Sequence, residues 1–130
     1  MVVDTSVLVA ILGLEPEAPR LVDAFVADGR RLISAASLLE AAIVVEARFG
    51  EAGGRELDLL VTKSGLEIEA VTADQVEYAR DAWRRFGKGR HAAGLNYGGC
   101  FSYALAKASG EPLLFKGKDF ALTDIAAVEY

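Results

Sequence analysis

Met1-Val2-Val3-Asp4-Thr5-Ser6-Val7-Leu8-Val9-Ala10-Ile11-Leu12 opens the chain. Its first residues read as a short apolar strand and the run from Thr5 as a helix, so Asp4 falls on the junction between them. In open α/β sheets, ligands bind beyond the carboxyl ends of the strands, where helix N-termini offer unpaired N–H groups. A carboxylate at such a junction is well placed to hold a metal ion. Whether other acids join it decides the reading.

Strand and helix signals go on alternating, with no linker, repeat or low-complexity segment between them. That pattern predicts a single α/β domain over residues 1–130, with a mostly parallel central sheet flanked by helices. Glu15-Pro16-Glu17-Ala18-Pro19 marks a turn and a helix start, and Leu21, Phe25 and Val26 form that helix's apolar side. Arg31-Leu32-Ile33-Ser34 reads as the second strand. Ser34 or Ser37 caps a third helix, in which Leu38, Leu39, Ala42, Ile43, Val45 and Ala47 pack while Glu46 and Arg48 reach solvent. Gly50 to Gly54 breaks it, and residues 55–64 form another short helix. The alternation from Leu66 to Val71 predicts an edge strand with one wet face. A helix from Ala73-Asp74 to about Phe86 leads into a long, basic, glycine-rich loop over residues 87–99. A helix from Cys100 to about Ser109 stops at Gly110, Leu113-Leu114-Phe115 is the next strand, and Ala126-Ala127-Val128-Glu129 the last.

The chain has 130 residues and is 52% apolar, enough to bury a core without disulfides. No apolar run approaches the ~18 residues of a membrane span, and no export signal is legible, so a cytoplasmic protein is expected. The single cysteine, Cys100, falls in an apolar helical pattern and reads as a small buried residue. Net charge is −5, which argues against a polyanionic partner, but the charge is uneven. Residues 1–79 carry 14 acids and 6 bases; residues 80–130 carry 5 acids and 8 bases. Arg80, Arg84, Arg85, Lys88 and Arg90 crowd together with one acid, Asp81, either as a solvated helix face and loop or as a phosphate-binding patch.

Two further acids are candidates to join Asp4. Glu40 sits beside Leu38-Leu39 and Ala41-Ala42-Ile43, where it faces either solvent or a cleft holding a cation, since an unpartnered buried glutamate is costly. Asp119 follows Leu113-Leu114-Phe115 after Lys116-Gly117-Lys118 and so lies just beyond a strand's carboxyl end. By itself it would be an ordinary turn aspartate.

The residues around these acids carry a resemblance. Val3-Asp4-Thr5-Ser6, Ser37-Leu38-Leu39-Glu40, Gly87-Lys88-Gly89-Arg90-His91, Leu95-Asn96-Tyr97-Gly98 and Cys100-Phe101-Ser102-Tyr103-Ala104-Leu105-Ala106-Lys107 occur in order, followed by Leu113 to Phe120 and Thr123-Asp124-Ile125. Together they resemble the PIN-domain nucleases, and among them the VapC-type toxins of toxin–antitoxin pairs, nearly end to end. The resemblance implies a PIN-like fold and a pocket that binds Mg2+ or Mn2+ and cuts RNA. It assigns Asp4, Glu40 and Asp119 as catalytic acids and metal ligands, Thr5 or Ser6 as hydrogen-bonding support for Asp4, and Asp124 as an outer neighbour of the pocket. It also implies a homodimer and a small VapB-like antitoxin whose C-terminal segment covers the pocket, with Leu21, Phe25, Leu38 and Leu39 available to line a groove or to build an ordinary core.

Lys88, Arg90 and His91 are the candidate substrate-binding residues, contacting phosphate without choosing sequence. Lys116 and Lys118 are placed to extend the same rim. His91 is assigned to a phosphate contact or a loop hydrogen bond rather than to base catalysis. Trp83, Phe86 and Tyr97 are assigned to core packing ahead of base stacking.

The chain departs from the family pattern at one position: where an aspartate stands between Tyr97-Gly98 and Cys100-Phe101, it has Gly99. A central carboxylate is missing, so weakened metal binding and strongly reduced cleavage are expected. Gly99 is either a natural loss or a substitution introduced so that a toxic protein could be produced. Two rival readings remain. One is a degenerate, non-catalytic PIN domain that still binds antitoxin or RNA. The other is a phosphatase using Asp4 as nucleophile, which Ser6 weakens because the haloacid-dehalogenase type wants a second acid there.

Overall fold

In a computed structural model describing residues 1–130, four short strands form one parallel sheet. In chain order the elements are β1 (Val2–Val3), α1 (Thr5–Leu12), α2 (Ala18–Ala27), β2 (Leu32–Ser34), α3 (Ala35–Ser64), β3 (Glu67–Glu69), α4 (Ala73–Phe86), α5 (Tyr97–Ser109) and β4 (Leu113–Leu114). The sheet order is β3-β2-β1-β4, with Val2 opposite both Leu32 and Leu113, and Ile33 opposite Ile68. The chain leaves β1 toward β2 and returns on the other side of β1 as β4. Strand order reverses at that pair, and the crevice for a ligand lies beyond its carboxyl ends.

Alternation along each strand sends neighbouring residues to opposite faces. Val2, Leu32 and Leu113 pack with Ala82, Tyr103 and Phe120 on one face. Val3, Ile33 and Leu114 pack with Leu8, Leu21, Phe25, Ala41 and Leu57 on the other. Both faces are covered by helices, which is why the strands read as uninterrupted apolar pairs.

Several expectations shift in detail. The break expected over Gly50 to Gly54 is present but confined to Gly50 (φ +69°, ψ −167°), a conformation glycine alone adopts without strain, so α3 is two helical segments meeting at a kink there. α5 begins at Tyr97 rather than Cys100, because the Asn96 side-chain oxygen accepts the Gly99 N–H at 2.8 Å and caps the helix earlier. The last expected strand is reduced to one bridge, Leu113 to Ala127. Val26, Leu39 and Ile43, expected to pack, are exposed. β3 is an edge strand as expected, but Ile68 on it is also open to solvent. No helix is long and apolar enough to cross a membrane.

Candidate active site

Asp4 terminates β1 and caps α1 with its own side chain. It is only 7% exposed, and both its carboxylate oxygens are engaged. Oδ2 accepts the Ser6 N–H at 2.9 Å and the Ser6 hydroxyl at 2.6 Å; Oδ1 accepts the Ser102 hydroxyl at 2.6 Å. Ser6 Oγ in turn accepts the Lys116 N–H at 2.9 Å, so the loop after β4 is tied to the start of α1. Ser6 therefore supports Asp4 as expected, and Thr5 does not. The Thr5 hydroxyl donates instead to the Ser37 carbonyl at 2.9 Å, fastening α1 to α3. A buried carboxylate with this many donors is fixed in one orientation and retains its solvation within the protein.

The crevice beyond β1 and β4 is a pocket of about 360 Å³. Asp4, Thr5, Ser6, Glu40, Gly99 and Asp119 all line it, so four distant stretches of the chain meet there. Glu40 comes from α3 and lies against the first turn of α5. Asp119 comes from the turn after β4. Gly99, in the first turn of α5, contributes backbone only. No three acidic side chains are drawn together at coordination distance as they stand. The three carboxylates and Asn96 offer hard oxygen donors, the kind that suits Mg2+ or Mn2+, and the bare Gly99 leaves that set one carboxylate short.

The sequence reading passed over several residues here. Ser102 lies behind the pocket, fully buried, where it holds Asp4; it is one helical turn beyond Gly99 on the same face of α5, a spacing visible in the sequence. Asn96, Glu15 and Arg48 line the wall, and no sequence signal marks the last two. Lys116 lines it too, but its ammonium pairs with Glu15 and, at 3.3 Å, with Glu17. The neighbouring Glu15 carboxylate holds Lys116 above the ordinary lysine range, so its charge is committed to the protein rather than free at a rim.

Other candidates lie elsewhere. Asp124 is not in the pocket wall: it accepts hydrogen bonds from Tyr103 Oη at 2.7 Å and Lys107 Nζ at 2.8 Å, and pairs with Arg85 at 3.3 Å. Burial would raise its pKa, but the bonds from Lys107 and Tyr103 and the charges of Lys107 and Arg85 outweigh that and lower it to about 2. It clamps the C-terminal segment to α4 and α5. His91 Nδ1 accepts the Ala93 N–H at 3.0 Å, the loop hydrogen bond expected of it. The Arg90 guanidinium stacks over Trp83 at 4.2 Å, and Lys88 lines a second, apolar hollow that shares Asn96 with the acidic pocket. None of Lys88, Arg90 and His91 reaches the acids. Phe86 is buried as expected, whereas Trp83 and Tyr97 are not. Leu21 and Phe25 are core residues rather than groove residues, while Leu39 is open.

A parallel sheet with an acid-lined crevice at its switch point defines the class of protein, and residues 1–126 match the PIN domain family. Ribonuclease VapC30 of Mycobacterium tuberculosis is 62% identical over 128 residues, covering 98% of each chain. Ribonuclease VapC of Mycolicibacterium smegmatis is 63% identical, covering 98% of this chain and 99% of its own. Among solved structures, M. tuberculosis VapC20, a Sarcin-Ricin loop cleaving toxin, superposes with a TM-score of 0.80 at 18% identity, over 99% of this chain and 98% of that one. A toxin-antitoxin complex from Klebsiella pneumoniae gives 0.72 at 18% identity, over 99% of this chain and 97% of that one. The chain belongs to the PIN domain family, in its VapC branch.

Proposed function

We propose that this chain is a metal-dependent endoribonuclease toxin of the VapC type, attenuated by Gly99. The observation that carries the reading is that Asp4, Glu40 and Asp119 share one pocket around Gly99, in a chain 62% identical to a VapC ribonuclease. The relatives' ribonuclease names support RNA as the substrate class.

Asp4, Glu40 and Asp119 would hold Mg2+ or Mn2+. Two carboxylates about 4 Å apart repel by roughly 4 kcal/mol at an effective dielectric near 20, a cost that a divalent cation reverses. Bound there, the cation would supply positive charge beside the phosphate and lower the pKa of a water. The protein's own contribution is to hold Asp4 still. Its donors from Ser6 and Ser102 are in place before substrate arrives, so no reorganisation is required at the moment of reaction.

The partners proposed are RNA, a second copy of the chain, and a VapB-like antitoxin. The solved complexes from K. pneumoniae and from Rickettsia felis, the latter named VapBC2 and bound to promoter DNA, support an antitoxin partner by kinship of fold. Leu39 and Ile43 sit one turn apart on α3, each 61% exposed, and form an apolar stripe on the helix that carries Glu40. An antitoxin helix laid along that stripe would end near the pocket.

The decisive experiment compares this chain with Gly99→Asp, using a fluorophore-labelled RNA with Mn2+ and with EDTA. Cleavage that rises at least tenfold in the variant and vanishes with chelator supports the reading. Binding of antitoxin with no cleavage in either protein would instead select the degenerate, non-catalytic PIN domain, the alternative that Gly99 favours.

A further inference from the structure

We infer that the apolar hollow beside the acidic pocket takes an unstacked base of single-stranded RNA, next to the phosphate held at the acids. This rests on the ribonuclease reading and adds to it a subsite for substrate selection. The hollow, about 670 Å³, is walled by Val76, Trp83, Leu95, Tyr97 and Phe101. Asn96 lines both this hollow and the acidic pocket, so the two are neighbours on either side of one residue.

Tyr97 and Gly99 lie in the same turn of α5, within about 5.4 Å of helix rise. Tyr97 is 81% exposed, the highest value of any Phe, Tyr or Trp in the chain, and Trp83 is 46% exposed, close to Phe49 and Tyr78. The Tyr97 and Phe101 rings meet at right angles with centroids 5.0 Å apart. Arg90 stacks on Trp83, and Lys88 stands on the rim. Arg84, Lys88 and Arg90 have no carboxylate at ion-pair distance, unlike Arg80 and Arg85 on the same helix. An exposed aromatic ring, Tyr97, beside cations that no carboxylate pairs with forms the combination that binds single strands: a base stacks on the ring while the phosphates meet the positive charge.

Trp83 is the sole tryptophan, so its emission reports on the hollow directly. The full chain, in EDTA to prevent cleavage, is titrated with a ten-residue oligoadenylate and with an abasic strand of equal length and charge. The expected result is quenching of Trp83 by the adenylate, with affinity about tenfold above that of the abasic strand. Tyr97→Ala removes that difference and leaves abasic binding unchanged, whereas Tyr97→Phe, which keeps the ring, retains it. Equal binding of the two strands overturns the inference, and so does an equal effect of Tyr97→Ala on both. Trp83 emission that tracks protein concentration without RNA, alongside a dimer in sedimentation equilibrium, also overturns it by assigning the hollow to a second copy. Cleavage by Gly99→Asp without base-dependent quenching would remove this subsite and leave the ribonuclease reading standing.

Discussion

The carboxylate of Glu40 lies in the space that any side chain at position 98 would enter: a Cβ on Gly98 would stand 1.9 Å from Glu40 Oε2. Helix α5 thus has a glycine as its second residue, so that an acid from α3 can lie across its first turn. The obstructing atom is the end of a flexible side chain, so Gly98→Ala is expected to fold, with alanine's better helix propensity offsetting up to about 1 kcal/mol of any clash. The Glu40 carboxylate must swing away. In a background carrying Gly99→Asp, Gly98→Ala should therefore lower Mn2+ affinity by about 10–100-fold with a melting temperature within a few degrees of the parent. Isothermal titration and thermal melts together check this; unchanged Mn2+ affinity would remove Glu40 from the ligand set.

Restoring an acid at position 99 meets a different neighbour. A Cβ there would lie 2.6 Å from Leu95 Cδ1, and Leu95 is a core residue. The Leu95 methyl group occupies room that an aspartate needs, so Leu95→Val and Gly99→Asp should be coupled. Leu95→Val alone is expected to cost about 1 kcal/mol. Combined with Gly99→Asp it should cost less, giving a coupling energy of about 0.5–1.5 kcal/mol in a denaturation cycle. Strict additivity would mean that Leu95 moves freely and that position 99 tolerates the acid without repacking.

The parallel sheet and the helix order were legible in the sequence because they depend on local signals, apolar pairs and caps; Asp4 was marked by its place at a strand end, whereas Glu40 and Asp119 joined it only through the resemblance to the PIN-domain nucleases. What escaped the sequence depends on how elements pack. Leu39 and Ile43 fit the helical period, yet the face they occupy on α3 has no element over it. Thr5 and Ser6 are equivalent as hydroxyls beside Asp4, and only the turn into α1 decides that Ser6 bonds the acid while Thr5 bonds Ser37. Ser102 supports Asp4 across 98 residues of chain. Asp124 looked like one more acid near the site because charge alone does not reveal that Tyr103, Lys107 and Arg85 already surround it.

Ser102→Ala tests the buried support of Asp4. Removing its hydroxyl leaves Asp4 Oδ1 without its donor and Ser37 Oγ without its 3.2 Å neighbour. A hydrogen bond to a charged group contributes about 1.5–3 kcal/mol, so urea denaturation should show a loss in that range at pH 7. Ser6→Ala should cost a similar amount or less, because the Ser6 N–H still caps Asp4. A loss below 0.5 kcal/mol for Ser102→Ala, as an order of magnitude, would indicate that water replaces the hydroxyl and that Asp4 is less enclosed than it stands.

The Asp124 cluster predicts a pH signature at each end. With its folded pKa at about 2, below the ordinary 3.8, Asp124 contributes stability that is fully present above about pH 4 and is lost as pH falls through 2. Tyr103 is raised, by burial first and then by its bond to Asp124, so its contribution is present below pH 10 and lost at higher pH. Because the Asp124 side chain is 37% exposed, screening limits its share to at most about 1 kcal/mol. Asp124→Asn should destabilise the protein at pH 7 by that amount, and the gap between variant and parent should close by pH 2. A gap independent of pH would make the contact one of shape rather than charge.

The apolar stripe on α3 can be tested without touching the acids. Leu39 and Ile43 lie largely in solvent, so replacing both with lysine removes little buried area and should change stability by less than about 0.5 kcal/mol each. Their effect on a partner should be large. If a VapB-like antitoxin lays an apolar helix face there, each lysine must be desolvated beneath it, and the double variant should weaken the complex at least 100-fold, or about 2.7 kcal/mol. Co-purification followed by calorimetry of the refolded components measures this. Cleavage by the Gly99→Asp background should persist in the double variant, since neither residue lines the acidic pocket. It should also no longer be inhibited by the antitoxin. Full inhibition with both lysines in place would move the antitoxin to another face of the molecule.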